Sequence, residues 1–432
     1  MTERRYLFSP LERRGVVAGL RAGQLAVLAG GLAVAVAAMR AAPTAVGLGV
    51  AVGVVATALG VAFVDVGDRP VEQWLPVVAR HLALRVATRH RTRPSGPARP
   101  IDRPRGRGGG GCHDVLPVPS PLQSVVIDEL PAGPGTAPVA TVSDRAAGTL
   151  GAVVAVRGHA FALLDSDEKE RRLSAWADVL ASLARQSGPV CRLQWVERTV
   201  AGDADALSRY LGERRVVDQD ASPARSYAEL VAEAGPLTQE HECYVALTVT
   251  QRAGPDVLQR ELRLLEGQLR GADLDVAGCL CRRDLAAVVR TAFDLRARIA
   301  LARRAAAHPD LAGAEVGSAW PAATETGWST YRTDDTWHAT FWVSEWPRTE
   351  VGPDFLGPLL LRGAGHRTVA LTMAPTSPAK GFRQAEAART AAVADEELRR
   401  RAGFLGTARQ RREAEGLARR EAELADGHAA YR

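Results

Sequence analysis

Lysine is almost missing from this 432-residue chain: of its 55 basic residues only Lys169 and Lys380 are lysines, and the rest are arginine. A phosphate-cradling Walker A loop needs a lysine directly after a glycine, and neither lysine follows one. A P-loop ATPase is therefore excluded. Cysteine is also scarce, with five residues widely scattered, which suits a reducing compartment rather than a disulfide framework. Cys112-His113 lacks the second ligand pair of a zinc site, and Cys279-Leu280-Cys281 stands alone, with Cys279 read as a small apolar group. His-Glu-x-x-His, Gly-x-Ser-x-Gly and Cys-x-x-Cys are absent, and no dinucleotide fingerprint follows a strand. His241, Glu242 and Cys243 do not converge on a metal, because neighbours on one strand face opposite sides. The chain reads as a non-enzyme without a cofactor.

Long apolar runs, by contrast, are present. Ala22 to Met39 and Ala41 to Val64 carry no charge, and only Arg40 separates them, beside Pro43. Each run reaches the roughly 18 residues that span a bilayer as a helix. The expected arrangement is a transmembrane helical hairpin with a very short turn; a second span directly after the first argues against a cleaved signal peptide. Arg4, Arg5, Arg13, Arg14 and Arg21 precede the hairpin, and Arg69, Arg80, Arg85, Arg89, Arg91 and Arg93 follow it. Basic residues gather on the cytoplasmic side of a membrane, so both termini are expected in the cytoplasm and the chain in the inner (plasma) membrane. The net charge of +6 hints at nucleic acid at first sight. The excess lies within residues 1–111, however, and the remainder is slightly acidic, so the charge reads as a topology signal. Gly15, Gly19 and Gly23, and then Gly49 and Gly53, recur every four residues. Such ridges let helices approach closely in lipid and also allow a homo-oligomer.

After the second span, Asp65 to Arg91 reads as an amphipathic helix. Pro70 suits its first turn and Glu72 its N-terminal dipole, Pro76 suits a kink, and Trp74, Val77, Val78, His81, Leu82 and Arg85 recur at helical spacing. Two placements fit this pattern. The helix lies in the headgroup layer, with Trp74 at the interface and Arg69, Arg80 and Arg85 near anionic lipid, or it docks on the rest of the chain.

The residues Gly67-Asp68-Arg69-Pro70-Val71-Glu72-Gln73-Trp74 resemble the Gly-Arg-Pro-x-Glu-x-Trp/Phe pattern that follows the second span of PrgI-family proteins. Those are small two-helix inner-membrane subunits of type IV secretion machines. Asp68 interrupts the usual Gly-Arg-Pro. The opening Arg5-Tyr6-Leu7-Phe8-Ser9-Pro10-Leu11-Glu12-Arg13-Arg14-Gly15 is similar to the start of a larger actinobacterial family of membrane proteins found with conjugation and mobile-element genes. That similarity extends along nearly the whole chain, including Arg192 to Thr199 and Glu350-Val351-Gly352-Pro353-Asp354-Phe355-Leu356. It would place one more strand and helix after Tyr431-Arg432.

Residues 92–124 are rich in proline, glycine and arginine, too poor in apolar surface to offset chain entropy, and read as a disordered linker. Its arginines are solvated or touch acidic lipid or nucleic acid. Residues 125–378 alternate strand-like and helix-like patterns, which predicts an α+β domain with repeated split βαβ units. Strands are expected at Leu122 to Asp128, Gly151 to Arg157, His159 to Leu164, Val190 to Val200, Glu242 to Thr250, Leu274 to Val276, Trp337 to Trp346 and Arg367 to Ala374. Helices are expected at Asp165 to Gln186, Asp203 to Arg215, Pro223 to Ala234, Pro255 to Gly271, Arg282 to Asp294 and Pro353 to Leu361. His241 to Asp294 also resembles, in pattern, the N-terminal non-motor region of conjugation ATPases.

Trp320, Trp328, Trp337, Trp342 and Trp346 crowd one stretch and read as core or inter-domain packing rather than base-stacking platforms. Residues 379–432 read as long, charge-balanced helices broken near Gly403 and Gly406. The fold class is thus α+β: a two-helix transmembrane hairpin with its juxtamembrane helix over residues 1–91, a mixed sheet and helix domain in the cytoplasm, and C-terminal helices. The resemblance implies a scaffold of a conjugative, type IV secretion-like transfer machine whose partners are the lipid bilayer, a separate conjugation-type ATPase and other secretion-machine subunits. Two other classes are weighed beside it: an EccE-like membrane component of a type VII system, and a membrane-tethered nucleic-acid binder using Arg91 to Arg107. The balanced charge after residue 111 disfavours direct nucleic-acid binding.

Overall fold

The computed structural model describes residues 5–6, 8, 22–66, 69–86, 91–92, 118–119, 122–131, 137–158, 161–184, 188–202, 210–214, 221–234, 239–343, 346–347, 349–361, 365–401, 408–425 and 430–431. Most of the 92–124 linker, the start of the Asp203 to Arg215 helix and the break at Gly403 and Gly406 lie outside them, as do Gly15 and Gly19.

Two helices, α1 (Ala22–Ala41) and α2 (Ala45–Phe63), form an antiparallel hairpin, and both are long and apolar enough to cross a membrane. Pro43 cannot continue α1, and Thr44 caps α2 by accepting a bond from the Gly47 amide. Leu32, Val34, Val46, Leu48, Val50 and Val52 point outward. Such an apolar outer surface is what a lipid environment demands of a helix. The two helices come close at Gly31, where an added Cβ would stand 2.5 Å from the Ala58 Cβ. Gly49 and Gly53 face open space and Gly23 is exposed, so these ridges do not close the hairpin. A two-residue ribbon, β1 (Asp65–Val66) with β2 (Arg69–Pro70), leads into helix α3 (Val71–Val86), which runs unbroken through Pro76.

The main sheet is antiparallel and built around β6 (Thr149–Arg157). Helix α4 (Ser166–Leu183) links β6 to β7 (Val190–Ala201), and β8 (Gln239–Thr250) inserts between them. Helix α5 (Ser222–Ala234) lies between β7 and β8 in the chain, and α6 (Pro255–Gly271) links β8 to β9 (Asp275–Cys279), which flanks β6 on its other edge. The order β7-β8-β6-β9 is the split βαβ connectivity that the alternation of patterns predicts. Strands β4 (Val125–Leu130) and β5 (Val139–Asp144) extend the sheet beside the first half of β6. Strand β13 (Arg367–Met373) adds to the edge of β7.

Strand alternation gives the sheet two buried faces. Val154, Leu193, Val245, Leu247 and Val249 meet α4 and α6 on one side, where Leu258, Leu262, Leu265 and Leu269 recur as a single buried stripe. On the other side α7 (Arg282–Phe293) packs Leu285 against Ile127 and Ala140, with Trp320 closing the cluster, and α8 (Ala297–Ala307) follows. Asp165 caps α4, its carboxylate accepting from the Glu168 amide at 2.8 Å.

A small second sheet has the order β12-β11-β10-β3, from β3 (Arg91–Thr92), β10 (Thr324–Thr326), β11 (Tyr331–Thr333) and β12 (Thr336–His338). The strand expected from Trp337 to Trp346 therefore ends at His338. Its partner β11 begins at Tyr331, opposite His338, and then turns away, so later residues have no ladder to join. The strand expected at His159 to Leu164 is instead a 3-10 turn over Phe161–Leu163. The helix expected at Pro353 is shorter, α9 (Gly357–Leu361). Two charged helices, α10 (Pro378–Arg401) and α11 (Ala408–Ala425), form a hairpin joined by Arg389 and Glu421 at 2.6 Å. Strand β15 (Ala430–Tyr431) then returns to β14 (Pro375–Thr376), and the Tyr431 hydroxyl donates to the Leu180 carbonyl.

Candidate functional site

Both flanks of the apolar hairpin are held by the part of the chain that follows α3. The N-terminal flank docks first. Tyr6 and Val351 exchange both backbone hydrogen bonds, at 2.9 and 3.0 Å, as one rung of an antiparallel ladder. Phe8 then stacks on Trp346, with ring centroids 5.4 Å apart, and meets Phe355 at a tilt, at 5.1 Å. Each such ring pair adds roughly 0.5–1.5 kcal/mol beyond its buried area. The Tyr6 hydroxyl donates to the Glu170 carboxylate on α4 at 2.6 Å. Next to it the buried Lys169 ammonium pairs with Asp354 at 3.6 Å and sits 6.0 Å from the Phe161 ring centre. One of the two lysines thus fixes the loop that carries Phe355.

The second flank docks through α3. Trp74 stacks on Trp328 at 6.0 Å and His81 meets the same ring edge-on at 5.2 Å. Positions 74 and 81 lie two turns apart on one helix face, and Trp328 occupies the turn between β10 and β11. Past α3 the chain pairs with β10, Arg91 opposite Glu325 and Thr92 opposite Thr324. Of the two placements open to the amphipathic helix, contact with the rest of the chain is thus made by its Trp74 and His81 face. Arg80 is exposed on α3, Arg69 and Pro70 stand in β2 opposite Val66 and Asp65, and Glu72 and Arg85 belong to α3.

Of the five clustered tryptophans, Trp320 packs in the core and Trp346 on Phe8, while Trp328 touches α3 yet stays 54% exposed. Trp337 and Trp342 are exposed, and Arg332 lies over the Trp337 ring at 5.4 Å. Nothing in the residue pattern marks Trp328 or Phe355 as docking partners. The Arg5 to Gly15 and Glu350 to Leu356 segments are each distinctive as sequence, but their contact is a tertiary fact.

A second concentration of charge crosses β7 and β8. The buried Arg198 lies 3.4 Å from Glu242 and donates to Thr291 Oγ1 at 3.0 Å and the Val288 carbonyl at 3.3 Å. Arg298 bridges Glu240 and Glu242, tying α8 to β8. On the opposite face His241 Nδ1 stands 2.9 Å from Glu197 and 3.5 Å from the Thr199 hydroxyl. Both groups share one ring nitrogen, so they do not line up as a hydroxyl–imidazole–carboxylate relay.

Burial pushes the Cys243 thiol up to about 11, with the Glu197 and Glu242 charges adding to it. Burial and a bond to Glu266 raise Cys279 to about 12. Both remain thiols, unreactive as nucleophiles at neutral pH. Among the described residues no group of three or more His, Cys, Asp or Glu side chains is arranged to hold a metal. No family model, curated protein or solved structure matches the chain.

Proposed function

We propose that this protein is an inner-membrane scaffold of a conjugative, type IV secretion-like transfer machine, and that its α+β part docks a separate transfer ATPase. One observation carries the reading furthest. Tyr6 and Phe8 ahead of the hairpin, and Trp74, His81 and Arg91 after it, are all gripped by the same folded body. Two spans with both flanks on one body leave that body on one side of the bilayer and pressed close to it. The arginines on both flanks favour the cytoplasmic side. A body so held is suited to present a surface to another protein in a fixed orientation, and it works through interfaces without a covalent step. The sequence resemblances supply the class of machine and the ATPase partner.

The test is co-purification from membranes with the conjugation ATPase of the same host, comparing the intact chain with residues 1–120 alone. Retention by the intact chain only is the expected result. Failure of both forms to retain the ATPase refutes the docking role, and retention by the short form alone moves the docking surface to the membrane segment.

A further inference from the structure

Leaving the two spans aside, the most exposed large apolar side chain among the described residues is Phe341, at 89%, followed in sequence by Trp342 at 63% and Val343 at 50%. An exposed aromatic and apolar triplet of this kind is unusual enough to mark an interaction surface. Its position in the fold identifies what it meets. Strand β12 ends at His338, opposite Tyr331, and Tyr331 in turn pairs with Thr326. The chain therefore leaves β12 at the end of the small sheet that carries the Trp328 turn. At that end Trp328 rests on Trp74 and His81 of α3, which starts at Val71 soon after α2 closes at Phe63.

On its far side the triplet is followed by Trp346, which stacks on Phe8 of the other membrane flank. The loop is thus strung between the two points where the hairpin's flanks are held. Three residues of extended chain put Phe341 within about 10 Å of the sheet end. Trp337 and its Arg332 partner form the rung next to the last one at that end of the sheet, which places a cation near the aromatic group. Phenylalanine and tryptophan beside arginine is the composition that settles at a headgroup layer.

We propose that Phe341, Trp342 and Val343 dip into the headgroup layer of the bilayer that α1 and α2 span, as a third membrane contact. The inference rests on reading α1 and α2 as membrane spans, and it adds a tilt control: two flanks and a loop define a plane.

The test uses the full chain in phosphatidylcholine–phosphatidylglycerol vesicles, with its native cysteines replaced by alanine. An environment-sensitive nitrobenzoxadiazole probe is placed in turn at Phe341→Cys, at Val50→Cys in α2 and at Val393→Cys on α10. Lipids carrying a nitroxide near the headgroup should quench the Phe341 probe several-fold more than the Val393 probe and shift its emission to the blue. Quenching at Val50 but not at Phe341 overturns the loop contact and leaves the spans standing. Absence of quenching at Val50 overturns the spanning reading and the inference with it. A Phe341 probe shielded from aqueous iodide yet untouched by lipid nitroxide means that protein covers the loop, which also overturns it. As a check that keeps the native cysteines, Trp342→Phe should remove a component of the tryptophan fluorescence quenched by brominated lipid, and an unchanged quenched fraction overturns the proposal.

Discussion

The buried guanidinium of Arg198 is the costliest single group on the sheet, since a charge removed from water must be matched by partners in place. Its partners are Glu242, Thr291 and the Val288 carbonyl, and Glu242 keeps a second cation in Arg298. Replacing Glu242 by Gln leaves the buried Arg198 without its carboxylate, with the Arg298 cation nearby, and should destabilise the fold by about 3 kcal/mol, the low end for a broken buried pair. Arg198→Leu should cost less, because Arg298 still neutralises Glu242. Denaturant unfolding of both variants in detergent checks the order, and equal losses would refute it. His338 offers a different test. The Thr333 hydroxyl donates to the Phe293 carbonyl at 2.7 Å and so accepts from His338 Nε2 at 2.6 Å, which fixes the neutral tautomer. Burial holds the imidazole below its ordinary value of 6.5. Protonation therefore favours the unfolded chain: the contribution of His338 is complete above 6.5 and is lost as the pH falls below it. The thermal midpoint should decline on that acid side, and His338→Gln should flatten part of the decline; parallel curves would exclude the effect.

At the scale of elements, Gly31 is a point of close approach between the two apolar helices. Gly31→Leu must push Ala58 away and should lower the thermal stability of the detergent-purified hairpin, by the roughly 1–3 kcal/mol typical of overpacking. Gly49→Leu, facing open space, should leave it unchanged. A matching loss at Gly49 would show that its ridge closes a helix contact after all. Which glycine mattered was not legible in the sequence, because four-residue spacing marks a ridge without saying which way it faces. The amphipathic helices were legible: α4, α6 and α7 carry apolar stripes and, in α4, an aspartate cap, all of them local signals. Strand β5 was missed because Val139 to Asp144 is a short run directly after a proline- and glycine-rich stretch. The three-residue strands β10 and β11 are too brief for alternation to register. The Trp337 to Trp346 run reads as one strand by composition, and only the short length of β11 ends it at His338. The candidate site was legible in its pieces. Trp74 stood out on its helix and Phe8 in its motif, but stacking partners so distant in sequence leave no local trace.

Across the whole molecule, the Tyr6–Val351 rung closes the chain into a loop that contains the hairpin, the linker and every strand of the main sheet except β13. Residues exchanging both backbone bonds in an antiparallel pair have Cα atoms about 5.5 Å apart, inside the range a disulfide can bridge. Tyr6→Cys with Val351→Cys, in a chain otherwise free of cysteine, should oxidise in intact membranes to a joined peptide pair seen by mass spectrometry. Absence of that pair while each cysteine remains reactive would separate the N-terminal flank from the body. The same rung also has a history in time. Tyr6 leaves the ribosome long before Val351 exists, and at roughly 5–20 residues per second the wait is on the order of tens of seconds. For that interval the rung cannot form, while α1, α2 and α3 are already complete. On the proposed reading of α1 and α2 as membrane spans, anchoring thus precedes clamping, and a nascent chain halted before Val351 would be anchored with that rung still unmade.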